Sequence, residues 1–307
     1  MHDALPPLKM THHTSVARRR EVRLAYLLLS PAVLLLLVVL GYPTGWEIWT
    51  SLTNLSPLND SGAGFVGLEN YRRIAGDREF WRAAVVTVTY AVVTSAAKVA
   101  IGVGFALLLA RPFRGRALVF LAVFLPWAYP ASVSVIGWYW TLNPPLSTAY
   151  SVAMGSVKHA VDGTFGGGAW AFVSVTLFNV WRGSSFIGVL LLAGINAVPP
   201  ELFECALLES RSAWRRFWLV TVPLLKPFLA LAVFLSLTTA FVDLANVWML
   251  TGGRIVFPVV GTQAYWLAVR GGQFGPASAL SLTLVPFLLA ALLLLFRAFD
   301  RDDAERA

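Results

Sequence analysis

Little in this chain suits redox, metal or nucleotide chemistry. A single cysteine, Cys205, excludes an internal disulfide, and His2, His12, His13 and His159 have no spacing that would gather a metal ion. The one glycine run, Gly166–Gly168, lacks the Lys-Ser/Thr ending of a phosphate-binding loop. ATP bound by that motif is thus excluded from this polypeptide. Charge is also scarce, at 13% of residues. The net +8 does not point to nucleic acid, because the basic residues are scattered beside apolar blocks instead of forming one patch with interleaved aromatics.

What the chain has in excess is apolar surface. Hydrophobic residues make up 57% of it and the mean hydropathy is +0.69, beyond what a water-soluble domain can bury. They arrive in six blocks, Leu24–Ile48, Ala84–Ala110, Ala117–Leu142, Ala169–Ala197, Phe228–Leu250 and Ala277–Phe296. Each reaches the roughly 20 residues that a helix needs to cross a hydrocarbon core about 30 Å thick. Inside lipid the backbone must pair within its own segment, and the blocks do not alternate as barrel strands do. The expected fold is all-α, a polytopic membrane protein with about six transmembrane helices. The first block is too long for the apolar region of a signal peptide, so it is read as a retained span.

Charge placement orients the spans. With a cytoplasmic N-terminus, fifteen basic residues fall in inner segments and seven in outer ones. This bias puts both termini in the cytoplasm. The chain then divides into a cytoplasmic tail over 1–23, a membrane domain over 24–298 and a second tail over 299–307. In the first outer connection, turn formers precede Phe65–Arg82, which suits short helices on the outer face. Asn143–Gly168 reads as a loop, with Pro144, Pro145 and the glycine run as helix breakers.

The most informative inner connection is 198–227. Pro199 and Pro200 set a helix start, and Glu201 and Glu204 lie where negative charge offsets the helix dipole. Phe203, Ala206, Leu207, Ser210, Trp214 and Phe217 recur every three or four residues and share one face of a predicted helix over 200–217. Glu209, Arg211, Arg215 and Arg216 occupy the other side. Such a helix either lies in the lipid headgroups or docks into a groove on a soluble partner.

This segment resembles the EAA loop of permease subunits in binding-protein-dependent ABC importers. The match runs through Glu204–Cys205–Ala206, Ser210 at the usual glycine position, Trp214–Arg215–Arg216–Phe217, Pro223 and Pro227. Further phrases are similar to the maltose and glycerol-3-phosphate importers of that family: Tyr42–Pro43, Phe65–Tyr71 (FVGLENY), Arg111–Arg116, Leu125–Trp127, Trp181–Arg182, Leu250–Gly253 and Gly275–Ser281. The resemblance implies a cytoplasmic coupling helix carrying Phe203, Glu204, Ala206, Leu207, Ser210, Trp214, Arg215 and Phe217. It implies a second permease subunit, a dimer of ABC ATPase chains that bind ATP and Mg, and an extracytoplasmic solute-binding protein. The location it implies is the inner membrane of a bacterium or archaeon. The chain itself would be a transport subunit, not an enzyme, with no cofactor and with lipid around its spans.

Ionisable groups inside spans are costly, about 2.5–3.5 kcal/mol each at the centre of a helix, and so they mark function or a partner. Lys98, Arg182 and Asp243 are such groups. Arg182 and Asn179, with Asp243 and Asn246, are candidates for the solute pathway. An ion pair of Asp243 with Lys98 or Arg182 is the packing alternative. Trp138, beside Tyr139 and Trp140, is either a sugar-stacking ring or part of an interfacial belt. A carrier driven by an ion gradient is the rival function, and Asp243 alone fits it.

Overall fold

The computed structural model describes residues 15–57, 63–142, 148–165, 168–209, 212–251 and 256–306. Among them helices dominate, and the one β-bridge joins Thr53 to Phe65. Five continuous helices are long and apolar enough to cross a membrane, and one bent pair makes a sixth. The all-α polytopic expectation therefore holds, with several boundaries moved.

Span one runs through α1 (Ser15–Leu36), a π turn at Leu37–Gly41 and α2 (Tyr42–Ser51). The π turn precedes Pro43, which has no N–H to give the regular ladder. The same device recurs before Pro223, where Phe217–Thr221 is a π turn. From Val22 to Ser51 the span's most apolar window is wholly exposed in the isolated chain. The FVGLENY phrase ties off its end. Asn70, on α3 (Glu69–Gly76), donates from Nδ2 to the Ser51 and Thr53 carbonyls at 2.8 Å, and the Tyr71 hydroxyl donates to Ser51 Oγ at 2.8 Å.

Span two is α4 (Arg78–Leu109), capped by Asp77, whose Oδ1 accepts the Glu79 N–H at 2.9 Å. It packs along span four, α8 (Ala169–Ala197), with small residues letting the backbones close up. A Cβ at Gly102 would stand 2.6 Å from Ile187 Cγ2, and one at Gly188 would stand 2.9 Å from Phe105 Cβ.

Span three is broken. Its halves, α5 (Arg116–Ala128) and α6 (Ala131–Leu142), meet at 93°. Tyr129 is extended, as the residue before a proline tends to be, and Pro130 cannot continue the ladder. The connection read as a loop over 143–168 instead contains α7 (Thr148–Phe165), because the prolines and glycines that suggested a loop flank the helix and do not interrupt it.

Span five also differs from its predicted limits of 228–250. The continuous helix is Ala213–Phe241, built from α10 (Ala213–Arg216), the π turn and α11 (Val222–Phe241). It ends at Val242 and Asp243, after which α12 (Leu244–Leu250) starts afresh. Composition alone favoured the later window because α12 is equally apolar. After α13 (Val260–Tyr265) and a π turn, the last span runs Phe274–Leu294 through α14 (Phe274–Leu282) into α15 (Leu284–Arg306).

The single helix expected over 200–217 is two helices. α9 covers Pro200–Glu209, Ser210 and Arg211 lie outside the described residues, and Ser212, in extended backbone, begins α10 with its Oγ accepting the Arg215 N–H. Trp214, Arg215 and Phe217 thus belong to the start of the span-five helix. Only Phe203, Glu204, Ala206 and Leu207 belong to α9.

Candidate functional site

The break at Asp243 places a carboxylate among three donors. Oδ2 accepts the Tyr90 hydroxyl of span two at 2.9 Å and Asn179 Nδ2 of span four at 2.5 Å, and Oδ1 accepts Asn246 Nδ2 at 2.7 Å. Asp243 is 8% exposed and Tyr90 is fully buried. A carboxylate in such a place is tenable because its oxygens are met by hydrogen bonds from two other elements and from its own turn. The Thr94 hydroxyl bonds back to the Tyr90 carbonyl one turn along, which satisfies a second polar group on the same stretch of α4.

Lys98 lies two turns further along α4, 2% exposed, with its stem against Gly183. A Cβ at position 183 would stand 2.6 Å from Lys98 Cδ, so glycine makes the groove in which the stem lies. Arg182, its neighbour on α8, reaches the bend of span three. One terminal nitrogen donates to the Tyr129 carbonyl at 3.2 Å, at the C-terminus of α5 where cations are favoured. Its Nε is buried without a hydrogen-bond partner. The ion pair weighed as the packing alternative does not form: among the described residues, neither Lys98 nor Arg182 comes within 4.0 Å of the Asp243 carboxylate. The two ion pairs found join Arg73 to Glu69 and Arg82 to Glu79, both on exposed helix surface.

These groups line one cavity of about 370 Å³ between spans two, four and five, with the bend of span three beside it. Asn179, Arg182, Asp243 and Asn246, scattered over 68 positions of sequence, meet there, as does Lys98. Ser236 and Thr239 add hydroxyls, and Trp127 adds an aromatic wall stacked on Phe186 at 5.6 Å. Trp138 does not line the cavity. Its ring packs on Phe178 at 6.0 Å and on Trp181 at 5.4 Å, behind the wall. Sequence reading missed Trp127 because its value comes from the bend two residues later, and Thr239 because nothing separates it from other span-five hydroxyls until the helix ends beside it.

At the far end of α8, residues 200–208 and 212–219 present apolar surface outward. Ala206 is buried and Phe203 half-buried, but Leu207 is exposed and Leu208 is 89% exposed. Trp214, 71% exposed, stands 5.7 Å from Trp218 and 6.2 Å from Phe217, forming an aromatic cluster beside Leu219. Glu204 is exposed on α9. Leu208, Trp218 and Leu219 were absent from the expected set, because a regular helix over 200–217 turns Leu208 away from the Phe203 face and ends before Trp218 and Leu219. The break brings a second face into play.

No protein-family model matches the chain. It is 32% identical over 267 residues to the trehalose transport system permease protein SugA of Mycobacterium tuberculosis, a match spanning 86% of this chain and 85% of that one. It is 31% identical over 301 residues to the trehalose/maltose transport system permease protein MalF of Thermococcus litoralis, spanning 94% and 98%. The sulfoquinovosyl glycerol transport system permease protein SmoG of Agrobacterium fabrum is 32% identical over 75% of this chain and 74% of its own length. Among solved structures, a bacterial ABC transporter involved in the import of the acidic polysaccharide alginate superposes with a TM-score of 0.69 at 18% identity, covering 92% of this chain and 97% of that one.

Proposed function

The chain belongs to the permease subunits of ABC sugar-transport systems, and from that premise we propose that it passes a carbohydrate through the cavity at Arg182 and Asp243, driven by separate ATPase chains. It is a transport subunit held in a membrane by its apolar helices. The observation that carries the cavity reading is the meeting of Asn179, Arg182, Asp243 and Asn246 in one space, with Trp127 as an apolar wall. A carbohydrate needs that combination. Its hydroxyls take hydrogen bonds from amides and a guanidinium, and its C–H faces rest on aromatic rings.

The partners follow the family pattern. A second permease completes the path, an extracytoplasmic binding protein delivers the solute, and an ATPase dimer binding ATP and Mg docks from the cytoplasm. The inner membrane of a bacterium or archaeon, with both termini cytoplasmic, is the location that fits the basic residues. Leu207, Leu208, Trp214 and Trp218 would fill a groove on the ATPase. Because α10 continues into span five, a push at Trp214 travels along one helix to the break at Asp243, where the cavity lies. Alternating access would then change which side of the cavity opens.

The test is uptake of radiolabelled trehalose and maltose by the assembled importer in proteoliposomes. Arg182→Ala is expected to reduce uptake about tenfold, the loss of roughly 1.4 kcal/mol of binding, without loss of assembly. Unchanged uptake with unchanged apparent affinity would show that Arg182 only caps α5.

A further inference from the structure

A second polar pocket lies at the opposite end of α8 from the exposed tryptophan cluster. It has a volume of about 320 Å³, within the roughly 300–1,000 Å³ of small-molecule sites. Its walls come from three helices and the end of a fourth: Tyr139 on α6, Lys158 and Asp162 on α7, Trp170 and Ser174 on α8, and Thr251 just after α12. The mixture is two rings, one acid, one base and, with Tyr139, three hydroxyls.

Two details point to a ligand. Ser174 is 7% exposed, and its Oγ is buried without a hydrogen-bond partner while its residue lines the pocket. A hydroxyl left so is costly, and a turn of the side chain toward the pocket would let a ligand there bond it. Asp162 accepts the Trp170 backbone N–H on Oδ1 at 2.9 Å, which locks α7 to the first turn of α8. That bond holds the Trp170 backbone at the pocket and leaves Oδ2 for a further donor.

We propose that this pocket is a second carbohydrate site, a capture station at the outer mouth of the path where Trp170 stacks on a pyranose ring and Asp162 and Ser174 take its hydroxyls. The proposal rests on the carbohydrate reading of the central cavity and on the cytoplasmic placement of α9. One acid and one base leave the pocket near neutral, which suits a polyhydroxyl ring better than a phosphate or sulfonate. Val175 lines this pocket, Asn179 lines the central cavity, and Phe178, backed by Trp138, lies between them on α8. The two sites are about one helical turn apart along one span, roughly 6 Å at 1.5 Å per residue.

The test uses the assembled importer with Cys205→Ser and a reporter cysteine, Thr251→Cys at the outer pocket or Thr239→Cys in the cavity. The rate of modification by a membrane-impermeant thiosulfonate is measured with and without glucose, trehalose or maltose. Slowing of several-fold at Thr251→Cys by at least one sugar, lost when Asp162→Asn and Trp170→Ala are added, is the expected result. Slowing at Thr239→Cys but not at Thr251→Cys would overturn the outer site and leave the cavity reading intact. Absence of slowing at both positions with all three sugars would overturn both.

Discussion

The cavity and the exposed end of span five invert each other. In the middle of the bundle, where apolar residues are cheap, Lys98, Asn179, Arg182 and Asp243 gather. At the end of α8, where polar residues are cheap, Leu208, Trp214 and Trp218 stand exposed. Each set is unfavourable in its surroundings, and in the proposed function each is met by something that comes to it. A solute with hydroxyls suits the first, and a partner with an apolar groove suits the second. Apolar spans say only that a bilayer is crossed, and function lies in the residues that contradict their local solvent.

The largest effect is expected from making the exposed end as polar as the cavity. Trp214→Asp or Phe203→Asp is expected to abolish co-purification of the ATPase chains while membrane insertion stays intact. Full retention of the ATPase would remove the docking role. Next comes the cavity's carboxylate. Asp243→Ala strands the donors on Tyr90, Asn179 and Asn246, at about 1–3 kcal/mol for a buried unsatisfied group, and a marked fall in the melting midpoint of the purified complex is expected. Asp243→Asn keeps an acceptor and is expected to fall less; equal losses would show that charge, not bonding, is what the site needs.

A smaller effect is expected at Gly183→Ala. The added Cβ meets the Lys98 stem, which must move within a tight helix pair, at a cost of about 1 kcal/mol or more. An unchanged midpoint would mean that Lys98 shifts freely. Smallest of all is Trp138→Phe, which keeps ring packing on Phe178 and Trp181 and is expected to leave apparent affinity for sugar unchanged. A large change in KM there would bring Trp138 back to the solute path.

Much of this was legible before any coordinates, and for physical reasons. Hydrocarbon thickness fixes block length, so the spans could be counted. Desolvation cost singles out Arg182 and Asp243, so four cavity residues could be named without knowing that they meet. What sequence does not reveal is where an apolar helix breaks. Pro130 bends span three, yet Pro31 and Pro227 leave their helices continuous, and no residue type marks Val242–Asp243 as an end. Those breaks decide which rings face the cavity. They made Trp138 look better placed than Trp127, and they divided the segment over 200–217 between α9 and the foot of span five. Gly183 illustrates the same limit, since its role exists only through the contact with Lys98 from another span.

The single native cysteine offers the most direct measurement of the central claim, that an exposed face on α9 and α10 receives the ATPase on the cytoplasmic side. Cys205 is exposed on α9. A membrane-impermeant maleimide is expected to label it in inverted vesicles stripped of the ATPase chains, to be blocked when those chains rebind, and to leave it unlabelled in intact cells. Labelling of Cys205 from outside intact cells would contradict the orientation and the coupling role together.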